Sequence, residues 1–259
     1  MSARRLLEIA CGSLGSALAA QAGGADRVEL FADLASGGTT PSHGTVAVAR
    51  DRLRLPLFVL VRPRAGDFLY DEPEVNAMLA DIHHCRALGC DGVVLGALTA
   101  EATIDLPVCR ELVAAAGDMQ VTFHRAFDAV RDPHAALEDI VTLGCARVLS
   151  SGGQASALEG AGALAERGVQ ANGRVRMMAG AGITSGNIVE VARRSGCVEF
   201  HASASRMRAS RMAYRNGSLR GLDNDHLQSD VGEVAALRAA LDRADAAEKD
   251  AFFTQPTPS

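Results

Sequence analysis

The residues of this 259-residue chain that are best suited to chemistry lie in or directly after short apolar runs. Two histidines and three carboxylates stand out: His124, His201, Asp128, Glu8 and Glu29. Imidazole and carboxylate groups brought together can transfer protons or bind a divalent cation. We therefore predict an acid/base site in which His124 is the general acid or base and Asp128 orients it, with Glu8 and Glu29 as base or cation ligands.

The glutamates also have a purely structural interpretation. Glu8, Glu29 and Glu199 lie inside apolar runs, where a carboxylate needs a partner if it is to remain charged. Arg62 ends another run and would be that partner in a buried ion network. Both interpretations stay open for the glutamates, whereas the position of His124 and Asp128 at the end of a run favours function.

A glycine-rich segment predicts a second element of the site, for an anion. Residues 180–187 (GAGITSGN) follow an apolar run and precede a helical pattern, so backbone N–H groups and a helix N-terminus would meet there. Glycines that only form tight turns are the alternative. The residues expected to contact the ligand are Arg62, Arg64, Arg125, Ser151, Gly180, Gly182, His201 and Ser203.

A long connection follows the last apolar run. Residues 206–228 carry Tyr214 and five arginines, namely Arg206, Arg208, Arg211, Arg215 and Arg220. Such a loop would form a lid over an anionic ligand, or it would be a solvated or subunit-contacting segment. The sequence favours neither interpretation over the other.

The elements that must position these residues alternate between strand and helix along the whole chain. We predict eight strands, near residues 6–10, 27–30, 57–62, 92–96, 120–124, 147–150, 176–180 and 198–201. Because strand–helix alternation gives parallel sheets and each strand ends in polar residues, the predicted fold is an α/β single-domain (β/α)8 TIM barrel. We assign residues 1–250 to the barrel and 251–259 to a flexible tail.

The cysteines follow a weak internal repeat in which a glycine ends a helix and a small residue precedes the next strand. Cys90, Cys145 and Cys197 occupy that second position, which places them at the bottom of the barrel. Cys11 directly follows the first strand and is predicted on the top face. The six cysteines include no Cys-x-x-Cys pair, which indicates reduced thiols.

Composition excludes several classes of protein. The net charge of −5 argues against nucleic-acid binding. The chain has no apolar run that would serve as a signal peptide or span a membrane, so we expect a cytoplasmic protein. The single lysine, Lys249, lies near the end of the last predicted helix, which excludes a Schiff-base aldolase because that chemistry needs a lysine inside the barrel.

Several runs together closely resemble the CutC copper homeostasis family of TIM barrels. The resemblance covers nearly the whole chain and rests on residues 7–9, 24–30, 37–42, 62–68, 121–128, 147–152, 178–182 and 214–216. It implies a role in copper homeostasis and binding of copper(I), for which Cys11 is the candidate ligand.

The residues themselves suggest other possibilities beside copper. Copper(I) prefers two or more thiolates, and this chain has Ala10-Cys11 and Phe31 where cysteine-bearing relatives have three cysteines. An enzyme acting on a small phosphorylated or otherwise anionic metabolite is the alternative, and a barrel that only binds or scaffolds is a third. The expected partners are a small anionic molecule or copper, with copper(I) or a divalent cation as cofactor and a homo-oligomer as assembly.

Overall fold

A closed barrel of eight parallel strands is the centre of the computed structural model, which describes residues 4–218 and 224–253. Each strand pairs with the next, and the last pairs with the first. The strands are β1 (Leu6–Cys11), β2 (Arg27–Leu30), β3 (Leu57–Leu60), β4 (Gly92–Leu95), β5 (Gln120–Phe123), β6 (Arg147–Ser150), β7 (Arg176–Gly180) and β8 (Glu199–Ala202). The predicted (β/α)8 barrel is confirmed, and every strand boundary lies within two residues of its prediction.

The helices lie outside the barrel between consecutive strands. They are α1 (Leu14–Ala22), α2 (His43–Arg52), α3 (Glu72–Ala87), α4 (Leu106–Ala116), α5 (Pro133–Leu143), α6 (Ala161–Ala171), α7 (Ile188–Ser195) and α8 (Val231–Phe253). Side chains of Asp71, Asp105 and Asp132 cap α3, α4 and α5 by accepting backbone N–H bonds, as the Asp-Pro start at residue 132 predicts for α5. Helix α8 ends at Phe253, three residues past the predicted domain boundary, and residues 254–259 of the predicted tail lie outside the described residues.

Strand residues alternate between two environments, which is what positions the site. Outward side chains such as Ile9 and Val28 pack beneath the helices in the main hydrophobic core. Inward side chains such as Glu8 and Phe58 fill the barrel interior. Gly92 is required there, because a Cβ atom at that position would lie 2.2 Å from the Phe58 ring.

The cysteines at the helix-to-strand turns lie where the repeat predicts. Cys90, Cys145 and Cys197 are buried, free thiols two residues before β4, β6 and β8, at the N-terminal ends of the strands. The preceding glycines have φ angles of 67° to 78°, the left-handed conformation that ends a helix.

The connection after β8 forms a small antiparallel hairpin. Its strands are β9 (Ser205–Arg208) and β10 (His226–Ser229), and β10 packs against α1. Arg206 approaches Glu233 and Arg215 approaches Asp225, at 3.4 and 3.1 Å. The lid interpretation therefore finds no support in the described part of this connection, where no arginine lines the cavity at the barrel mouth. Arg220 lies outside the described residues.

Within the part of the chain that the structure describes, no helix has both the length and the apolar character needed to cross a membrane.

Candidate functional site

A cavity of about 480 Å³ opens at the C-terminal ends of the barrel strands. Seven of the predicted site residues line it: Glu29, Arg62, His124, Arg125, Gly182, His201 and Ser203. Six others, Glu8, Arg64, Asp128, Ser151, Gly180 and Cys11, do not line it. Parallel strands bring their C-terminal ends to one face, so the cavity lies where barrels of this fold place their chemistry.

The inner end of the cavity holds a carboxylate–imidazole cluster formed by β1, β2 and β8. His201 Nδ1 lies 2.7 Å from Glu8 Oε1 and 3.6 Å from Glu29 Oε2. Burial raises the pKa of Glu29 to about 7, and the charge of Glu8 adds to this effect. Burial opposes charge on His201, but the two carboxylates outweigh it and raise the pKa of the imidazole. A proton can therefore be held by either Glu29 or His201 near neutral pH.

Beneath this cluster lies a buried ion network. Arg27 pairs with Glu8 and also with Glu199 at 2.8 Å, and Arg147 pairs with Glu199 at 3.0 Å. Burial opposes ionisation of Glu8, yet Arg27 and His201 outweigh it and lower the pKa of that carboxyl to about 2. Glu8 is therefore a fixed negative charge, which does not fit the acid/base role predicted for it, whereas the pKa of about 7 fits that role at Glu29.

The ion network corrects the structural interpretation of the glutamates in one respect. A buried network exists, but its cations are Arg27 and Arg147 and not Arg62. Both guanidinium groups lie 5.0 Å from the centre of the Phe58 ring, which they cover inside the barrel. The network thus closes the barrel below the cavity, and the carboxylate of Glu29 remains outside it.

His124 is a neutral hydrogen-bond donor on the cavity wall. Its Nδ1 accepts the Ala126 N–H at 3.2 Å, so the proton of the neutral ring is on Nε2. Burial, together with the nearby charge of Arg62, lowers the pKa of His124 to about 3. Its Nε2 has no hydrogen-bond partner among the described residues, although the residue is only 5% exposed. The group is therefore suited to donate to a ligand oxygen.

Asp128 does not orient His124, which corrects that prediction. Its carboxylate accepts hydrogen bonds from the Ser150 hydroxyl at 2.5 Å and from backbone N–H groups of Ser151 and Gly153. It also pairs with Arg125 Nε at 2.8 Å, and these hydrogen bonds outweigh burial and lower the pKa of Asp128. Asp128 therefore holds the guanidinium of Arg125 at the cavity rim, where a second Arg125 nitrogen bonds the Ser151 hydroxyl.

The two arginines after β3 have different positions. Arg62 is buried at the cavity wall and donates to the carbonyls of Ser36, Gly38 and Gly66 at 2.7 to 3.1 Å. Its Nε has no partner among the described residues. Arg64 points away and pairs with Glu74 on α3, so the structure does not support its predicted ligand contact.

The predicted anion loop lies at the rim formed by β7 and β8. Gly182 has φ of 68° and lines the cavity with Ile183, Thr184 and Ser203. In the described residues, the backbone N–H groups of Gly182, Ile183 and Ser203 donate no hydrogen bond. Gly180 lies lower, inside β7, where a Cβ atom would lie 2.5 Å from Leu149. Three free N–H donors on adjacent strand ends are suited to an anion.

Cys11 lies away from the cavity, which corrects its predicted position on the top face. As the last residue of β1 it points outward into the main core, and its Sγ donates to the Ile9 carbonyl at 3.3 Å. Burial raises the pKa of the thiol, so the thiolate needed to bind metal is disfavoured.

The donor set does not fit copper(I). Among the described residues, the group of side chains able to hold a metal ion consists of Glu8, Glu29 and His201 and contains no cysteine. Oxygen and imidazole ligands suit a divalent cation, whereas copper(I) prefers thiolates.

Sequence reasoning missed two sets of residues. Arg27 and Arg147 each directly follow a helix-ending repeat and open a strand, and that shared position is the signal that would have revealed them. The apolar lining of the cavity, including Phe31 and Leu60, carries no such signal, because apolar residues at strand ends are common in any core.

Fold and cavity together define the class of the molecule, a (β/α)8 barrel with a ligand site at the C-terminal ends of its strands. A sequence model of the CutC family matches residues 5–206. A family protein CutC from Chromobacterium violaceum is 53% identical over 245 residues, which cover 93% of this chain and 99% of the relative. The chain therefore belongs to the CutC family.

Solved structures agree with this assignment. A CutC protein from Streptococcus agalactiae, named for copper homeostasis, superposes with a TM-score of 0.74 at 30% identity, covering 77% of this chain and 98% of its own. A structure named QR15, an aldolase, is 13% identical with a TM-score of 0.60 and covers 78% of this chain and 92% of its own. The second likeness concerns the fold alone.

Proposed function

We propose that this CutC-family barrel is an enzyme that transfers protons on a small phosphorylated or otherwise anionic metabolite. The observation that carries the proposal is one cavity with two kinds of group. The Glu29–His201 pair and neutral His124 are suited to proton transfer, and the free N–H groups of Gly182 and Ser203 are suited to an anion.

Each group has a distinct task. Backbone N–H groups at the ends of β7 and β8, together with Arg125, bind the anionic group of the metabolite. The Glu29–His201 pair takes a proton from a carbon or hydroxyl of the ligand and returns one, since the pKa of Glu29 lies close to neutral. His124 donates its Nε2–H to the ligand oxygen on which negative charge develops, in the manner of neutral histidines that polarise carbonyl groups.

Ligand binding is tested first, by isothermal titration with orthophosphate. Arg125→Ala should weaken binding about tenfold, because one charge-assisted hydrogen bond is removed. Cys11→Ser is the matched control and should leave binding unchanged, because its thiol lies outside the cavity. Arg62→Ala should also weaken binding, although its carbonyl contacts make it a less selective probe.

Turnover is tested with a metabolite extract analysed by mass spectrometry before and after incubation with the protein. The wild type should deplete at least one anionic compound. Glu29→Gln should abolish this depletion while orthophosphate binding is retained, since the amide keeps the shape but cannot carry the proton. Failure of the wild type both to bind orthophosphate and to change any compound would contradict the proposal.

Copper binding is the second candidate, supported by the name of the Streptococcus agalactiae relative. Titration with copper(I) against a competing chelator distinguishes the two functions. We expect no tight stoichiometric binding, because Cys11 is buried in the main core and is not part of the carboxylate–imidazole cluster. Tight binding lost in Cys11→Ser, with no orthophosphate binding, would establish the copper function instead. Zinc binding that is lost in Glu29→Gln would identify a divalent cation site at the cluster.

The proposal also covers the location, assembly and partners of the protein. We expect a cytoplasmic homo-oligomer that binds small molecules and neither nucleic acid nor membranes, in line with its net charge of −5. Size-exclusion chromatography with light scattering tests the assembly.

A further inference from the structure

The walls of the cavity differ in character from one side to the other. The side formed by β7, β8 and Arg125 carries polar groups. The side formed by the ends of β1, β2 and β3 also carries Glu29 and Arg62, but most of its side chains are apolar. These are Ala10, Phe31, Leu34, Leu60 and Phe68. We call these five residues the apolar wall.

The apolar wall continues downward into the barrel. Ala10, Phe31 and Leu60 form a hydrophobic cluster with Phe58 and Val94 that is separate from the main core. Phe31 and Leu60 are each only 4% exposed, so most of the apolar surface that a ligand can cover belongs to Leu34 and the half-buried Phe68. His201 on the neighbouring strand β8 and His124, whose ring centre lies 4.9 Å from that of Phe68, border this apolar surface.

Tight local packing holds this wall in place. Residues 33–38 include left-handed backbone at Asp33 and Gly38, and a Cβ atom at Gly38 would lie 2.8 Å from Leu60. Arg62 donates to the carbonyls of Ser36 and Gly38, which fixes this loop against β3. Leu34, in the 3-10 helix of the same loop, is 39% exposed at the rim of the cavity. The wall is therefore formed before any ligand arrives.

An inorganic anion at the β7–β8 rim would leave this wall facing water. Removing apolar surface from water is favourable in proportion to its area, and ligand cavities combine such surface with a few oriented polar groups. We propose that the ligand is amphipathic, with an apolar ring or branched hydrocarbon group on the side opposite its anionic group. This inference rests on the anion site of the proposed function and specifies the class of molecule that the site accepts.

The test compares orthophosphate with phenyl phosphate by isothermal titration. The ester should bind the wild type about tenfold or more tightly, since its ring removes part of the apolar wall from water. Leu34→Gln should reduce this preference about threefold without changing orthophosphate binding, because it replaces a rim side chain that contacts only the ring. Val169→Gln is the control, since Val169 is 81% exposed on α6 and does not line the cavity.

The outcomes separate this inference from the proposed function. Equal binding of the two compounds would overturn the apolar specificity and leave the anion site intact. A preference for phenyl phosphate that survives in both Leu34→Gln and Phe68→Ala would also overturn it, because the ring would then lie elsewhere. Failure of the wild type to bind either compound would reject the anion site itself.

Discussion

The protonation state of His124 makes a prediction about stability that can be measured without knowing the ligand. Burial and the charge of Arg62 lower its pKa from 6.5 to about 3, so the folded protein keeps this ring neutral where the unfolded chain would protonate it. A histidine whose pKa is lower in the folded state stabilises the fold fully at pH values above its pKa in the unfolded chain. This stabilisation is lost as the pH falls toward its pKa in the folded state. The window for His124 therefore runs from about pH 6.5 down to about pH 3.

The magnitude follows from the size of the pKa shift. Between pH 7 and pH 4.5 the imidazole of the unfolded chain takes up a proton and the buried imidazole does not. The free energy of unfolding therefore falls by roughly 2 to 3 kcal/mol, at about 1.36 kcal/mol per pKa unit. Urea unfolding of wild type and His124→Gln at both pH values gives the contribution as a double difference in the free energy of unfolding. Glu8, Glu29 and His201 titrate in both proteins, so their contributions cancel.

One result would refute the reasoning. If acidification destabilises His124→Gln as much as the wild type, within about 0.5 kcal/mol, the ring does not resist protonation in the folded protein. His124 would then not be the neutral donor that the proposed function requires. Greater destabilisation of the wild type than of His124→Gln supports the burial argument and a neutral His124 ring at neutral pH.

Three further predictions concern other parts of the molecule. Arg147→Met should lower the free energy of unfolding by about 3 kcal/mol or more, because it leaves Arg27 as the single buried guanidinium partner of both Glu8 and Glu199. Arg176→Gln, at the exposed edge of the same network, should change it little in urea unfolding. Cys11→Ala should cost about 1 kcal/mol in the same assay and leave orthophosphate binding unchanged, and loss of binding would place the thiol in the site. Asp128→Asn should weaken orthophosphate binding several-fold through loss of the Arg125 position, with a native circular dichroism spectrum as the control for folding. Unchanged binding would contradict a positioning role for Asp128.

Much of the fold follows from local patterns in the sequence. Most strands are short apolar runs between a helix-ending glycine and a polar cluster, so their positions can be predicted from local sequence alone. Helices α2, α4 and α6 lack the Gly-Cys ending that follows α3, α5 and α7, so the repeat does not locate them. Helix α2 ends in basic residues and not in a glycine.

For the candidate site, too, local sequence patterns predicted one part and not the other. Residue type and position at a strand end identified Glu29, His124, Arg125 and His201 as members of one face, and the cavity includes all four. Their pairings were not predictable. Asp128, four residues after His124, is close in sequence but binds Ser150 and Arg125, because the 3-10 helix that begins after His124 turns the carboxylate toward β6.

The sequence by itself determined which residues form strands and which of them end in polar groups, because alternation and glycine placement act over a few residues. Only the tertiary structure decided which charges meet. Closure of the barrel pairs β1 with β8 and brings Glu8 to His201 across 193 residues, and the strand register sets Glu8 beside Arg27. The same closure turns Cys11 outward and Ala10 inward, since neighbouring strand residues face opposite sides. Proximity, burial and therefore pKa are properties of that closed arrangement, which no local pattern contains.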